Sequence, residues 1–240
     1  DPFTAALHAD DGLAEFPDVA PPLRPTTTYE RTDGGRIYRR DGDEAMARLE
    51  AVIGALEGGN SVVYPSGMAA VAAVLRHLQP DRISLPDDVY HGVRMFVGAG
   101  VERGDWLLAD PDDLGRGDVL WVETPSNPKC LITDLDAVAE RAAAAGLVTV
   151  ADATFATPVL QKTLDHGVDF SLHAATKYIA GHSDAMGGVV STLDESVAAE
   201  LRHTRSVDGT VPGTLETWLT LRGVRTLPIR VHRQSETAAA

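Results

Sequence analysis

One segment carries most of the interpretation of this chain: Ser171-Leu172-His173-Ala174-Ala175-Thr176-Lys177-Tyr178-Ile179-Ala180-Gly181-His182-Ser183-Asp184. It places Lys177 between a hydrophobic run, which predicts a strand over residues 169–174, and a loop that is rich in glycine and serine. An amine held at such a point can condense with an aldehyde cofactor and can later move protons. A lysine that follows a strand is also often a solvated surface residue, so the rest of the sequence decides between the two.

Apolar runs alternate with helical patterns from residue 44 onward. The predicted strands cover residues 61–64, 82–85, 119–123, 147–152, 169–174 and 188–191. The predicted helices cover residues 44–56, 68–78, 90–98, 135–145, 195–203 and 215–221. Continuous apolar strands between helices predict an α/β fold of three layers, α/β/α, with a mainly parallel sheet that is covered on both faces.

The pattern also predicts how the chain is divided. Residues 1–35 are rich in proline and threonine, and we expect an extended N-terminal arm there. Residues 36–227 would form the large domain. The final residues favour a helix and contain no stop signal, so we expect a truncated chain.

Composition excludes several functions. The net charge of −14 over 240 residues argues against a nucleic-acid or anionic-membrane partner. Cys130 is the single cysteine, so no internal disulfide can form, and we expect it to be a packed thiol. The histidines do not show the spacing of metal ligands, and we predict no metal site. Without an apolar run of membrane length, we expect a cytoplasmic protein.

Polar residues recur where the predicted strands end. Glu123 ends one strand, Asp152 ends the next, and Lys177 follows a third. Ligands of parallel α/β sheets bind at the carboxyl ends of the strands, so these residues predict one site. Ser66-Gly67-Met68 lies where a strand turns into a helix, and its amides and hydroxyl suit a phosphate. The same residues are also typical of a simple N-cap and turn.

Taken together and in this order, the segments resemble the motifs of the pyridoxal 5′-phosphate (PLP) enzymes of Cys/Met metabolism, the transsulfuration family. The resemblance runs from about residue 29 to residue 230. It includes Glu123-Thr124-Pro125-Ser126-Asn127-Pro128 and the junction Leu221-Arg222-Gly223-Val224-Arg225-Thr226-Leu227. It implies the large domain of PLP-dependent transferase fold type I over residues 36–227, with PLP as the cofactor. It also implies that residues 228–240 begin a C-terminal domain that is largely missing.

The resemblance also implies a role for each site residue. Lys177 would bind PLP as a Schiff base and take the substrate's α-proton. Asp152 would pair with the pyridine nitrogen, and the ring of Tyr90 would stack on the cofactor. The remaining implied contacts are Ser66, Gly67, Met68 and Thr176 at the phosphate, Asn127 at the phenolic oxygen or the substrate carboxylate, and Thr154 beside Asp152.

Tyr38 and Arg40 resemble a family pair that reaches into the neighbouring subunit, where the arginine binds phosphate and the tyrosine faces the substrate. A homodimer or homotetramer with shared sites is therefore implied, although a surface arginine pair would look the same. The chain departs from the family at Ala153 and Ala174, and at His91, which follows Tyr90. It also departs after Arg40, where the helix start differs.

The implied reaction is γ-replacement or γ-elimination on a sulfur amino acid or a homoserine ester, as in cystathionine γ-synthase or cystathionine γ-lyase. Lys177, Tyr90, Asp152 and Tyr38 would form the catalytic set. Methionine γ-lyase and O-acetylhomoserine sulfhydrylase remain alternatives within the family. A PLP-binding regulatory protein without catalysis is the alternative from another class.

Overall fold

The computed structural model describes residues 1–32 and 35–240. Within these residues, seven strands form one sheet, in the order β1-β7-β6-β5-β4-β2-β3. The strands are β1 (Asn60–Tyr64), β2 (Arg82–Ser84), β3 (Leu107–Leu108), β4 (Val119–Glu123), β5 (Val148–Asp152), β6 (Phe170–His173) and β7 (Gly188–Thr192). Strand β7 is antiparallel to both of its neighbours, and the other pairs are parallel. The prediction of a mainly parallel sheet is confirmed.

Helices connect the strands and cover the sheet. They are α1 (Pro2–His8), α2 (Glu44–Glu57), α3 (Gly67–Leu78), α4 (His91–Arg103), α5 (Leu135–Ala145), α6 (Thr157–Leu160), α7 (Glu195–Asp208), α8 (Thr214–Val224) and α9 (Leu227–Ala239). Short 3-10 turns lie at Asp11–Leu13, Arg39–Asp41, Pro111–Asp113 and Thr163–His166. The predicted helices over residues 44–56, 68–78 and 135–145 match α2, α3 and α5 closely.

The core lies on both faces of the sheet. Helices α3, α4 and α7 pack on one face, around Val71, Val97, Leu201 and the buried Trp121. Helices α2 and α8 pack on the other face beside β1 and β7, and α5 covers β4 and β5 there. This arrangement confirms the three-layer α/β/α architecture, and it explains why the central strands are apolar throughout.

Side-chain caps fix where the helices begin. The Asp43 carboxylate accepts a hydrogen bond from the Met46 amide at 2.7 Å and starts α2. Asp134 and Asp194 do the same for α5 and α7. Helix α2 ends at Gly58, whose φ of +84° is a backbone conformation that favours glycine. These local signals explain why the helix bounds could be predicted.

The N-terminal arm is a correction to the prediction. Residues Pro2–His8 are helical, with Asp1 as N-cap and proline in the first turn, so an extended conformation is wrong there. The segment is also packed, since Ala6 is fully buried and the Asp10 carboxylate pairs with Arg48 at 2.5 Å and with Arg225 at 2.7 Å. The proline- and threonine-rich composition belongs to residues 17–28 and obscured the helix before it.

Two further features bear on the predictions. Cys130 is exposed in the loop after β4, so the expectation of a packed thiol is wrong. Across the described parts of the chain, none of the helices has the length and apolarity needed to cross a membrane.

Candidate active site

A cavity of about 1000 Å³ lies at the carboxyl ends of β4, β5 and β6, beside the first turns of α3 and α4. Nine of the eleven predicted site residues line it, and Tyr38 and Arg40 do not. The nine are Ser66, Gly67, Met68, Tyr90, Asn127, Asp152, Thr154, Thr176 and Lys177. The topology therefore brings together residues that lie up to 111 positions apart in the sequence. Within the described residues, no group of three or more histidine, cysteine, aspartate and glutamate side chains could hold a metal ion.

Lys177 stands on a tight turn that follows β6. Its amide donates to the carbonyl of Ala174 at 3.1 Å, and its own carbonyl accepts from the Gly181 amide at 2.9 Å. Ala175 and Ile179 bury their side chains against α2 and α8, which fixes the turn from beneath. The side chain of Lys177 is exposed and forms part of the cavity wall.

Asp152 ends β5 and has one carboxylate oxygen fully engaged. Its Oδ1 accepts hydrogen bonds from the Thr154 amide at 3.0 Å and from the Thr154 hydroxyl at 2.6 Å. The Thr154 hydroxyl also accepts from the Ala174 amide at 2.8 Å, which links Asp152 to the segment before Lys177. Burial raises the pKa of Asp152, while the bonds from Thr154 and the charge of the nearby His173 oppose that rise. Oδ2 is left for a cationic partner, which would hold the carboxylate in its ionised form.

The start of α3 forms the part of the cavity that suits a phosphate. Ser66 is the N-cap, and its hydroxyl accepts from the Ala69 amide at 3.1 Å. The amides of Gly67 and Met68 belong to the first turn, whose N–H groups have no acceptor within the helix. A side chain at Gly67 would place its Cβ 3.0 Å from that of Ala174, so this glycine lets α3 lie against the segment between β6 and Lys177. Ser66 is thus an N-cap whose hydroxyl hydrogen remains free to donate. The N-cap role and the predicted phosphate contact are therefore compatible.

The ring of Tyr90 lies in the cavity wall against Met68 and Gly92. A Cβ at Gly92 would be 2.6 Å from the Tyr90 ring and 3.0 Å from the Met68 sulfur. The close approach therefore occurs at Gly92, and His91 is the first residue of α4. The partly exposed face of the Tyr90 ring is available to a flat ligand.

Glu123 joins two walls of the cavity. Its Oε2 accepts from the Tyr90 amide at 2.7 Å, and its Oε1 accepts from the Asn127 amide at 3.0 Å. The side chain is buried and is the register neighbour of Asp152 in the sheet. Burial raises the pKa of Glu123 to about 7, and the charges of Asp152 and Asp88 act in the same direction against the two amide hydrogen bonds.

The raised pKa gives a prediction for stability. A carboxyl group with a pKa of about 7 when folded, against an ordinary 4.5, binds more protons in the folded state over that interval. Its stabilising contribution is therefore complete below pH 4.5 and is lost as the pH rises through 7. We expect the free energy of unfolding of the wild type, minus that of Glu123→Gln, to fall by about 3 kcal/mol over this range. Urea titrations of both proteins at several pH values measure it, and a difference that is independent of pH would contradict it.

The hydroxyl of Thr176 bonds to the backbone of Gly187, whereas the prediction places it at a phosphate. The Thr176 hydroxyl donates to the Gly187 carbonyl at 3.2 Å and accepts from the Gly187 amide at 3.0 Å. Both interactions tie the lysine turn to the start of β7. The predicted contact with a phosphate stays a prediction, because it requires the hydroxyl to leave the Gly187 carbonyl.

Tyr38 and Arg40 lie outside the cavity. Tyr38 pairs with Thr28 in an isolated antiparallel bridge, and the Arg40 guanidinium stands over the Tyr38 ring at 4.8 Å from its centre. Both side chains are exposed. That these two residues contact the active site of a neighbouring subunit stays a prediction.

Three charged residues of the cavity wall, Asp184, Glu216 and Arg230, were not predicted from the sequence. Arg230, on α9, lines the same cavity as Lys177. It follows the Leu221–Leu227 junction by three positions, and no local signal separates it from the other arginines of that region.

The fold and this cavity define a class of protein, the fold-type-I enzymes that depend on PLP. The donor set fits that cofactor: a lysine amine for an aldehyde, a buried carboxylate with a spare oxygen for a pyridine nitrogen, and a helix start for a phosphate. Residues 3–240 match the family model described as Cys/Met metabolism PLP-dependent enzyme. The chain belongs to this family.

Individual relatives agree with the family match. The chain is 38% identical to the cystathionine gamma-synthase of Mycobacterium tuberculosis, with all of this chain and 66% of the relative covered. It is 37% identical to the cystathionine beta-lyase of Bacillus subtilis over 92% of this chain and 60% of the relative. A crystal structure of cystathionine gamma synthase from Xanthomonas oryzae superimposes with a TM-score of 0.91 at 34% identity, covering 100% of this chain and 67% of that one. The chain thus spans about two thirds of the length of these relatives.

Proposed function

We propose that this protein is a PLP-dependent transsulfuration enzyme that replaces or eliminates the γ-substituent of a sulfur amino acid or a homoserine ester. A cytoplasmic location is part of the proposal. The observation that carries it is the meeting of Lys177, Asp152 and the start of α3 in one cavity at the carboxyl edge of the sheet. The family match and the cystathionine gamma-synthase of Mycobacterium tuberculosis support the choice of substrate class.

Each residue has a definite task in this proposal. Lys177 Nζ would hold the cofactor and, when released, accept the α-proton of the substrate. When bound, PLP supplies an electron sink for the charge that develops at the substrate α-carbon. Oδ2 of Asp152 would keep the ring nitrogen protonated, with Thr154 orienting the carboxylate. The amides of Gly67 and Met68, together with the Ser66 hydroxyl, would bind the phosphate.

The γ-chemistry would depend on a second use of the same amine. After it has taken the α-proton, Lys177 would give that proton back to the cofactor-bound substrate. It would then remove a proton from the β-carbon, so that the γ-substituent could leave with the electron pair of its bond. The rim of the cavity is open enough for a second reactant to enter, since Asn127 and Tyr90 are exposed there. A thiol would give replacement, and water would give a 2-oxo acid and ammonia.

A substrate panel tests the proposal. Reconstituted protein would be assayed with O-succinylhomoserine or O-acetylhomoserine plus cysteine, with cystathionine, and with methionine, by detecting cystathionine, sulfide, methanethiol, 2-oxo acid and ammonia. Turnover of a homoserine ester or of cystathionine is expected. Methionine cleavage alone would indicate a methionine γ-lyase, and sulfide consumption with O-acetylhomoserine would indicate a sulfhydrylase. Bound PLP without any turnover would favour the regulatory alternative, for which Ala153 and Ala174 are the observed departures.

Shared sites between subunits are also proposed, with Tyr38 and Arg40 of one chain serving its neighbour. Mixing the inactive variants Arg40→Ala and Lys177→Ala tests this, because only a hybrid pairs an intact Lys177 with an intact Arg40. Random reassembly of dimers is expected to restore about a quarter of the wild-type activity. Hybrids that form, as seen by native mass spectrometry, but remain inactive would contradict shared sites.

A further inference from the structure

Arg230 donates two hydrogen bonds to the lysine turn and two to the junction between α8 and α9. Its Nη1 donates to the carbonyl of Tyr178 at 2.7 Å, and its Nη2 donates to the carbonyls of Ile179 at 3.3 Å and Gly223 at 2.8 Å. Its Nε donates to the Thr226 hydroxyl at 3.1 Å. Two of these acceptors are the residues that directly follow Lys177.

The two acceptors in the turn, the carbonyls of Tyr178 and Ile179, are groups that the turn itself leaves free. Within the turn, the Ala180 amide uses the carbonyl of Ala175, and the Gly181 amide uses the carbonyl of Lys177. The next carbonyls, of Tyr178 and Ile179, end the turn in the way that the last carbonyls end a helix, and such groups need outside donors when they are shielded from water. Arg230 is therefore the C-terminal cap of the segment that carries Lys177.

Two glycines make room for this cap. A side chain at Gly181 would collide with the guanidinium of Arg230, and one at Gly223 would collide with the carbonyl of Ala180. Helix α8 thus touches the turn through its backbone, and α9 reaches the turn through Arg230. Both contacts act on the residues that follow Lys177 in the turn.

Among the described residues, the guanidinium of Arg230 is held by hydrogen bonds to carbonyls and a hydroxyl. Across residues 1–32 and 35–240, no carboxylate forms an ion pair with it, and a guanidinium does not lose its proton in proteins. Arg230 and Lys177 line the same cavity. A change in the turn at Tyr178 and Ile179 would therefore reach the wall that carries the Lys177 amine.

We propose that Arg230 is a positioning residue for Lys177, which holds the lysine turn from α9 by capping the carbonyls of Tyr178 and Ile179. The expected effect on turnover rests on the proposed function, whereas the capping of the turn does not depend on it. The capping makes the geometry of the amine depend on the helix that follows the large domain.

The test compares Arg230→Lys and Arg230→Gln with Arg233→Gln. Arg233 lies nearly one turn further along α9, is largely exposed and pairs only with Glu236, so it is the matched control. The first readout is amide hydrogen exchange of the peptide covering residues 174–181 in the purified protein. A lysine at position 230 keeps the positive charge but has no planar guanidinium to donate to both carbonyls. A glutamine loses the charge as well as the guanidinium. Exchange in this peptide is expected to accelerate about tenfold or more in both variants, and to stay unchanged in the control.

A second readout uses the PLP-loaded protein. Arg230→Lys and Arg230→Gln are both expected to bind PLP and to turn over more slowly than the wild type, while Arg233→Gln should match the wild type. We expect kcat to fall in both variants with little change in KM. Unchanged exchange in Arg230→Lys, the variant that retains size and charge, would overturn the capping role. If the protein bound no PLP, the exchange result would still decide that role, while the proposed function would fail separately.

Discussion

Replacing Lys177 with alanine is expected to remove covalent PLP binding and to lower kcat by more than about a thousandfold. The variant loses the group that holds the cofactor and the base that takes the α-proton. Because the Lys177 side chain is exposed at the cavity and makes no packing contact in the core, the fold should be retained. Circular dichroism and thermal unfolding, measured beside the assay, separate loss of chemistry from loss of structure.

The sequence offers a clean control for this experiment. It contains three lysines, Lys129, Lys162 and Lys177, and Lys129 is exposed outside the cavity. Lys129→Ala should match the wild type in absorption and turnover. Turnover by Lys177→Ala at more than a tenth of the wild-type rate would mean that another group performs the proton transfer, and the assignment of the site would be wrong.

Replacing Asp152 with asparagine is expected to lower kcat by about 100- to 1000-fold while the protein remains folded. The asparagine side-chain oxygen can still accept from the amide and hydroxyl of Thr154, so the local hydrogen bonds persist. The amide has no negative charge, however, and cannot stabilise a protonated ring nitrogen in this buried position. PLP should still bind to Lys177 in the variant, so the effect would appear in kcat and not in covalent loading.

Asp165→Asn is the matched control, because Asp165 is exposed and does not line the cavity. It should leave kcat unchanged. An Asp152→Asn enzyme with wild-type kcat would show that the ring nitrogen needs no anionic partner here. A variant that cannot be loaded with PLP would instead show that Asp152 acts mainly in binding.

Most of the fold could be predicted because its strands are short, apolar and bounded by turn residues or caps. Strand β4, Val119–Glu123, is buried at every position and was recognised directly. Strand β3 was missed because Leu107–Leu108 is two residues long and is exposed, so it carries no periodicity. Helix α1 was missed because its seven residues precede a proline-rich stretch and depend on tertiary contacts through Asp10.

Some residues of the site could be predicted from the sequence, and others could not. Asp152 and Lys177 could be predicted because strand ends at one edge of a parallel sheet converge, whatever the details of packing. The bridging bonds of Glu123 and the capping bonds of Arg230 join segments more than 30 residues apart, and sequence spacing cannot show them. The engagement of Thr176 with Gly187 depends on how β7 returns beside the turn, which is also a tertiary contact.

The central claim is that Lys177 holds PLP, and one measurement tests it most directly. The protein would be incubated with PLP, reduced with borohydride, digested, and searched by mass spectrometry for a pyridoxyl-phosphate adduct. The account predicts a visible absorption band that reduction bleaches, and an adduct on Lys177 in the peptide that contains Ala174–Gly181. An adduct on Lys129 or Lys162 alone, or no adduct and no band after reconstitution, would contradict it.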